Sequence, residues 1–209
     1  MLNLLHQEQL KNKMKQSIDH ALFPTLILEC PDILSLKESN EIYKFIVKNK
    51  NLGKAHKILA GDNVTSSHTG NTNFLIDNDI FKNLNNKILT NTLEYSNKTG
   101  TVINNTIANS WFNIQGKNSV LLPHTHANSK LSGVIYIKTD EKSNPLYFHN
   151  PNPYIINYHI KSDTKYSFEW FRFYPKIGTL LLFPSWLTHS SNSERNLSKE
   201  RVLVSFNII

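Results

Sequence analysis

The chain has 209 residues, a formal net charge of +7 and 39% hydrophobic residues, enough to bury one sizeable core and, at this length, to form one domain with or without an arm. Its basic side chains are 20 lysines and only 3 arginines in a sequence with 27 asparagines; that bias reads as the coding habit of an AT-rich genome, so the charge argues little for nucleic acid. The single cysteine, Cys30, excludes an intrachain disulfide and a cysteine-built zinc site, the apolar runs are far shorter than the ~20 residues of a membrane span, and the opening MLNLLHQEQLKNKMKQ lacks a signal peptide's apolar stretch. A cytoplasmic protein is expected.

In chain order, Leu10, Met14 and Ile18 recur at helical spacing, which predicts an amphipathic helix over 3–19. TLILECPDIL (25–34) reads as a strand and turn. SLKESNEIYKFIVKN (35–49) reads as a helix, with Ser35 as cap, Glu38 three residues on, and Ile42, Phe45 and Ile46 as its apolar stripe. From Leu52 to Asn73 the chain is polar and irregular. A further helix is expected over about 77–97, with Ile80, Leu84, Ile88 and Leu93 facing the core.

After Gly100 short apolar runs alternate with turn signals: IANSWFNI, SVLLPHTH, LSGVIYIKT, PLYFHN, YSFEWFRFY, GTLLLFPS and RVLVSFNII. Strands at this spacing predict a sandwich, jelly roll or barrel, with the earlier helices packed on one sheet.

His124 and His126, placed on one of these expected strands, share a face about 6–7 Å apart, so both can reach one metal ion. The pair alone is also compatible with two ordinary strand histidines. His189, in LLLFPSWLTHSSN, is the best third ligand, because a strand end there falls near the first pair. His149, in LYFHNP, reads better as a rim histidine. His6, His20, His56, His68 and His159 are expected to be exposed.

Arg201 opens the alternating C-terminal strand. An arginine facing the interior of a sandwich needs an acidic partner, and its planar fork suits a carboxylate of the protein or of a dicarboxylate ligand. Arg172 and Arg195 read as solvated.

From Trp111 to Ile209 the order of NSWFNIQGKNSVLLPHTH, LSGVIYIKT, NPLYFHNP, KIGTLLLFPSWLTHSS and ERVLVSFNI resembles the Fe(II)/2-oxoglutarate-dependent dioxygenases, in particular a small hydroxylase subgroup of bacteria and phages with an HxH…H…R motif. The resemblance implies a mainly β fold with helices, a double-stranded β-helix (jelly roll) with N-terminal helices packed on one sheet. The expected layout is a helical arm over 1–22 and one oxygenase domain over 23–209, with helical support at 35–98 and a catalytic core at 107–209. It implies Fe(II), 2-oxoglutarate and O2, with decarboxylation to succinate coupled to hydroxylation. His124 and His189 match metal ligands of the family and His126 holds the place of the third. Arg201 matches the basic residue that grips 2-oxoglutarate, while Tyr136 and Asn113 are further cosubstrate contacts.

Two departures bear on this. The superfamily's usual ligand two residues after the first histidine is a carboxylate, here His126, which leaves the site more positive. At Leu203 many relatives carry a serine that helps hold the cosubstrate. The alternatives are a cupin-like metal-binding protein, a three-histidine dioxygenase that does not use 2-oxoglutarate, or a jelly roll kept for interaction alone. Trp111, Phe183 and Trp186 are candidates for the pocket wall, with core packing the expected role of at least two of them. SSHTGNTNF, DEKSN and NPNPYIINYHIKSD are expected at its rim. The substrate class expected is a peptide or protein side chain or a small metabolite, with no membrane partner; the oligomeric state stays open, a homodimer being compatible.

Overall fold

The computed structural model describes residues 20, 22–56, 61, 63–152, 154, 164, 167–191 and 194–209. The helix expected over 3–19, with all but two residues of the 1–22 arm, lies outside them, as do His6, His159 and most of NPNPYIINYHIKSD. The elements in order are β1 (Leu28–Cys30), α1 (Leu36–Lys48), β2 (Lys54–Ala55), β3 (Val64–Ser66), α2 (Lys82–Thr99), β4 (Ile107–Gly116), β5 (Leu131–Lys138), β6 (Leu146–His149), β7 (Trp170–Phe173), β8 (Leu180–Pro184), β9 (His189–Ser190) and β10 (Glu200–Ile208).

Among the described residues ten strands form two antiparallel sheets, a large one ordered β1-β8-β5-β10-β4-β3-β2 and a small one ordered β7-β6-β9. The large sheet is covered on both faces. On one face Phe112, Ile135, Leu180, Leu182, Val204 and Phe206 pack against Ile42 and Ile46 of α1 and Leu84, Ile88 and Tyr95 of α2. On the other, Val134, Tyr136, Leu181, Phe183 and Leu203 meet Leu146, Phe148 and Phe173 of the small sheet. Double coverage explains why β5 and β8 read as unbroken apolar runs, whereas one-sided burial would give a polar alternation. The result is the jelly roll, with a mouth between the sheets.

Ser35 and Glu38 close a capping box on α1, and the Ser35 backbone N–H, then Lys87, pull the Glu38 carboxyl down to about 2. The other end of the helix is tied to the sheet: the Tyr43 hydroxyl and the Lys138 ammonium both donate to Glu200 Oε1, at 2.6 and 2.7 Å. Helix α2 starts later than expected, after a 3-10 turn over Asp79–Phe81, and ends on Gly100 at φ 70°, a left-handed cap that glycine adopts without strain. Leu84, Ile88, Thr92 and Tyr95 are its buried face. Ile80 and Leu93 point outward instead: Ile80 precedes the helix, and Leu93 lies about half a turn out of phase with Leu84.

Two strand expectations need correction. SVLLPHTH forms no strand; it follows an irregular path joined to β9 by a single bridge, His124 to His189, because Pro123 offers no N–H for a ladder. The polar stretch 52–73 contains β2 and β3, and buries Val64 and Ser66 against β4. No helix among the described residues is long and apolar enough to cross a membrane.

Gly133 on β5 pairs with Phe206 on β10, and a Cβ at that position would run into the fully buried Phe206 ring. Gly133→Ala is therefore expected to cost about 1–3 kcal/mol of stability in urea unfolding. An unchanged midpoint would mean that the ring has room to move.

Candidate metal centre and its pocket

Strand β10 runs through the middle of the large sheet, between β5 and β4, and alternation sends Arg201, Leu203, Ser205 and Asn207 to the face that looks into the mouth. Trp111, Asn113 and Gln115 of β4 do the same. With His124 and His126 from the irregular segment and His189 from β9 they line a cavity of about 340 Å³.

The three histidines converge. Ring centroids lie 4.2 Å apart for His124 and His189, 5.2 Å for His124 and His126, and 5.1 Å for His126 and His189. One ligand atom from each lies within 4.8 Å of the others. Reciprocal backbone bonds of 3.1 Å join His124 to His189, and the His126 N–H donates to Ser185 O at 2.9 Å. The HxH pair thus keeps the shared side expected of a strand without belonging to one.

The hydrogen bonds of the rings fix their tautomers. His124 Nδ1 faces the Leu122 carbonyl and His189 Nδ1 the Leu187 carbonyl, both at 2.9 Å. A carbonyl can only accept, so both Nδ1 atoms carry the proton. His126 Nδ1 meets Asn207 Oδ1 at 2.6 Å; the Ser132 hydroxyl donates to the same oxygen, and the Asn207 amide donates to Asn109 Oδ1. Each Nε2 is left with a free lone pair, the state a metal requires. Burial lowers the pKa of all three: first by desolvation, then by the His124 charge for His189, which falls to about 3. Neutral imidazoles are ordinary metal ligands, at about 2.0–2.1 Å for zinc.

Across the cavity Arg201 is 4% exposed. One guanidinium nitrogen donates to Gln115 Oε1 at 3.0 Å and Asn144 Oδ1 at 2.8 Å, both neutral. Among the described residues its Nε has no partner, and neither does the buried hydroxyl of Tyr136, whose ring lies 5.4 Å from the guanidinium carbon. Desolvation pushes the Tyr136 pKa up against the pull of the Arg201 charge. Among the described residues, then, a buried cation beside a tyrosine hydroxyl is hydrogen-bonded to neutral amides, an arrangement whose charge no protein carboxylate balances.

The expected residues His124, His126, His189, Arg201, Tyr136 and Asn113 all line this one cavity, as do Trp111 and Phe183. Trp186 does not: it is 57% exposed and borders a separate groove with Phe23 and Pro151. His149 stays outside, bonded to Ser190 Oγ at 2.8 Å. Five participants escape a reading of the sequence. Asn207 and Gln115 sit at alternate positions on the neighbouring strands β10 and β4 and carry a period-2 signal, but in an asparagine-rich chain one amide more is inconspicuous. Asn144 comes from the DEKSN loop, which reaches inward to Arg201 and does not form an open rim. His56 and His68, expected among the exposed histidines, line the cavity; His56 is half-buried, whereas His68 and, away from the cavity, His20 are exposed as expected.

Residues 109–207 match the family model described as "Putative 2OG-Fe(II) oxygenase". No curated protein matches in sequence. Among solved structures the chain is similar to a Pseudomonas putida prolyl-4-hydroxylase, at 9% identity over 90% of this chain and 94% of that one, with a TM-score of 0.65. It is also similar to HygX from Streptomyces hygroscopicus with nickel and 2-oxoglutarate bound (12% identity, 88% and 82% covered, TM-score 0.60). A third is the viral collagen prolyl hydroxylase of Paramecium Bursaria Chlorella virus-1 in its 2OG complex (12%, 87% and 94%, TM-score 0.55). At such identities the likeness establishes the fold.

Because the folded chain holds these imidazoles below the ordinary 6.5, the unfolded chain binds more protons as the pH falls. Their contribution to stability is whole above that value and is lost on acidification. Metal-free protein is expected to lose stability from about pH 7 to about pH 5, and His189→Asn, which keeps an amide donor for the Leu187 carbonyl, to lose less over the same window. Parallel curves would mean that His189 is not buried as a neutral ring.

Proposed function

For a chain whose residues 109–207 match the 2OG-Fe(II) oxygenase family model, we propose that His124, His126 and His189 hold one Fe(II) through Nε2 and that Arg201 and Tyr136 take the distal carboxylate of 2-oxoglutarate. The observation that carries this reading is the buried guanidinium, which has neutral partners and an open Nε across the cavity from three metal-ready imidazoles. Iron with 2-oxoglutarate and O2 supplies, when bound, the oxidative decarboxylation to succinate that is coupled to hydroxylation of a C–H bond.

The chain's own side chains orient and exclude. The Leu122 and Leu187 carbonyls and the Asn207 amide hold three Nδ1 protons and so aim three Nε2 lone pairs at one point. Gln115 and Asn144 grip one nitrogen of Arg201 and thereby orient the rest of the fork. Leu146, Phe183 and Leu203 line the interior with hydrocarbon, which strengthens every charge interaction by keeping water away. Leu203, lacking the hydroxyl of many relatives, leaves the anchoring to Arg201 and Tyr136. Asn113, 3.4 Å from the Ser205 hydroxyl, borders the same space and is a further contact for the cosubstrate.

A metal-binding cupin has no use for a buried arginine with an open edge, which favours the oxygenase over that alternative. The substrate we favour is the side chain of a peptide or protein, in a cytoplasmic setting that suits a chain with one cysteine.

Arg201→Ala is expected to leave stoichiometric Mn(II) binding intact while weakening 2-oxoglutarate more than tenfold in calorimetry, a loss of roughly 2 kcal/mol of charge-assisted contact. His124→Ala or His189→Ala is expected to abolish the metal itself. Equal 2-oxoglutarate affinity in wild type and Arg201→Ala would remove Arg201 from the site.

A further inference from the structure

The pocket holds a second pair of imidazoles that the metal does not use. His56, just past β2, and His68, just past β3, both line the cavity. Their ring centroids are 5.7 Å apart; His68 stands edge-on to Trp111 at 4.7 Å, and Trp111 lies 5.7 Å from His126. An aromatic wall therefore runs from the metal triad to the rim. Backbone bonds anchor it, from the His56 N–H to Val64 O and from the His68 N–H to Ser66 Oγ. Neither ring forms a hydrogen bond with a described residue, so the nitrogens of both remain available inside a binding cavity.

Charge narrows what they can receive. Among the described residues the cavity has no aspartate, glutamate or lysine in its lining. A substrate ammonium or guanidinium would find no counter-ion there. When Fe(II) and dianionic 2-oxoglutarate sit beside Arg201 and three neutral imidazoles, about one positive charge is left over, because the third ligand is a histidine and not a carboxylate. His56 and His68 also feel each other: burial first and the His56 charge second lower the His68 pKa, a repulsion that an anion between the rings would relieve.

We propose that His56 and His68 form the substrate-recognition wall of this pocket, and that the substrate presents an anionic group, carboxylate or phosphate, to them. The inference rests on the reading of the metal and 2-oxoglutarate sites given above.

The test uses the full chain loaded with one equivalent of Zn(II) and saturating 2-oxoglutarate, titrated in turn with inorganic phosphate, acetate and ethylamine. Calorimetry and the NMR signals of the histidine rings are the readouts. Binding of an anion that shifts the His56 and His68 ring signals, weakened at least fivefold in His56→Gln and in His68→Gln, is expected, with no response to ethylamine. Preference for phosphate or for acetate then identifies the group. The ring signals of the wild type carry the test even if one variant folds poorly. Anion binding unchanged in both variants, silent ring signals, or a second zinc equivalent that is lost with His56 would overturn the proposal. The loading step is read separately: failure of 2-oxoglutarate to bind removes the cosubstrate reading and this inference with it, whereas normal loading without an anion response removes this inference alone.

Discussion

A buried guanidinium with no carboxylate partner among the described residues is the constraint on which the rest of this structure turns. Amide dipoles from Gln115 and Asn144 solvate one nitrogen of Arg201, but they cannot neutralise its charge, and an uncompensated buried cation is costly. The fold sustains it because β10 is held between β5 and β4 and buried on both faces. Removing the charge to solvent would mean dismantling the centre of the sheet. A ligand that binds only the folded state and brings a carboxylate offsets that cost, and stabilises the protein by mass action as it does so. Lysine, which is abundant elsewhere in the chain, offers a point charge and no planar fork.

The same economy of charge governs the other side of the pocket. Three imidazoles in one small volume fold together only if they stay neutral, and burial secures this. Asn207, an amide, accepts the His126 proton without adding a negative charge. Among the described residues the cluster offers nitrogen donors alone, so the positive charge of a metal bound there would reach further into the cavity than beside a carboxylate ligand.

Much of this was legible in the sequence where a local rule decided the outcome. Ser35 and Glu38 announced the start of α1, and seven of the expected strands appear with small changes at their ends. Arg201 stood out as one of three arginines on an alternating strand. Tertiary context decided the rest. Tyr95 took the core position that a plain hydrophobic count assigns to Leu93. The short β2 and β3 are strands only because β4 offers an edge. His124 and His126 share a side through one bridge to His189 and one backbone bond to Ser185 instead of a ladder. The supporting amides, Asn207, Gln115 and Asn144, carry no signal that separates them from the other asparagines and glutamines until the partners they hold are seen.

The most direct measurement is a crystal structure of the full chain grown without oxygen in the presence of Fe(II) and 2-oxoglutarate. One iron on the Nε2 atoms of His124, His126 and His189, with the far carboxylate of the ligand against the Arg201 fork and the Tyr136 hydroxyl, is the expected result. Iron elsewhere, or a ligand whose carboxylate leaves Arg201 still among neutral amides, would contradict it.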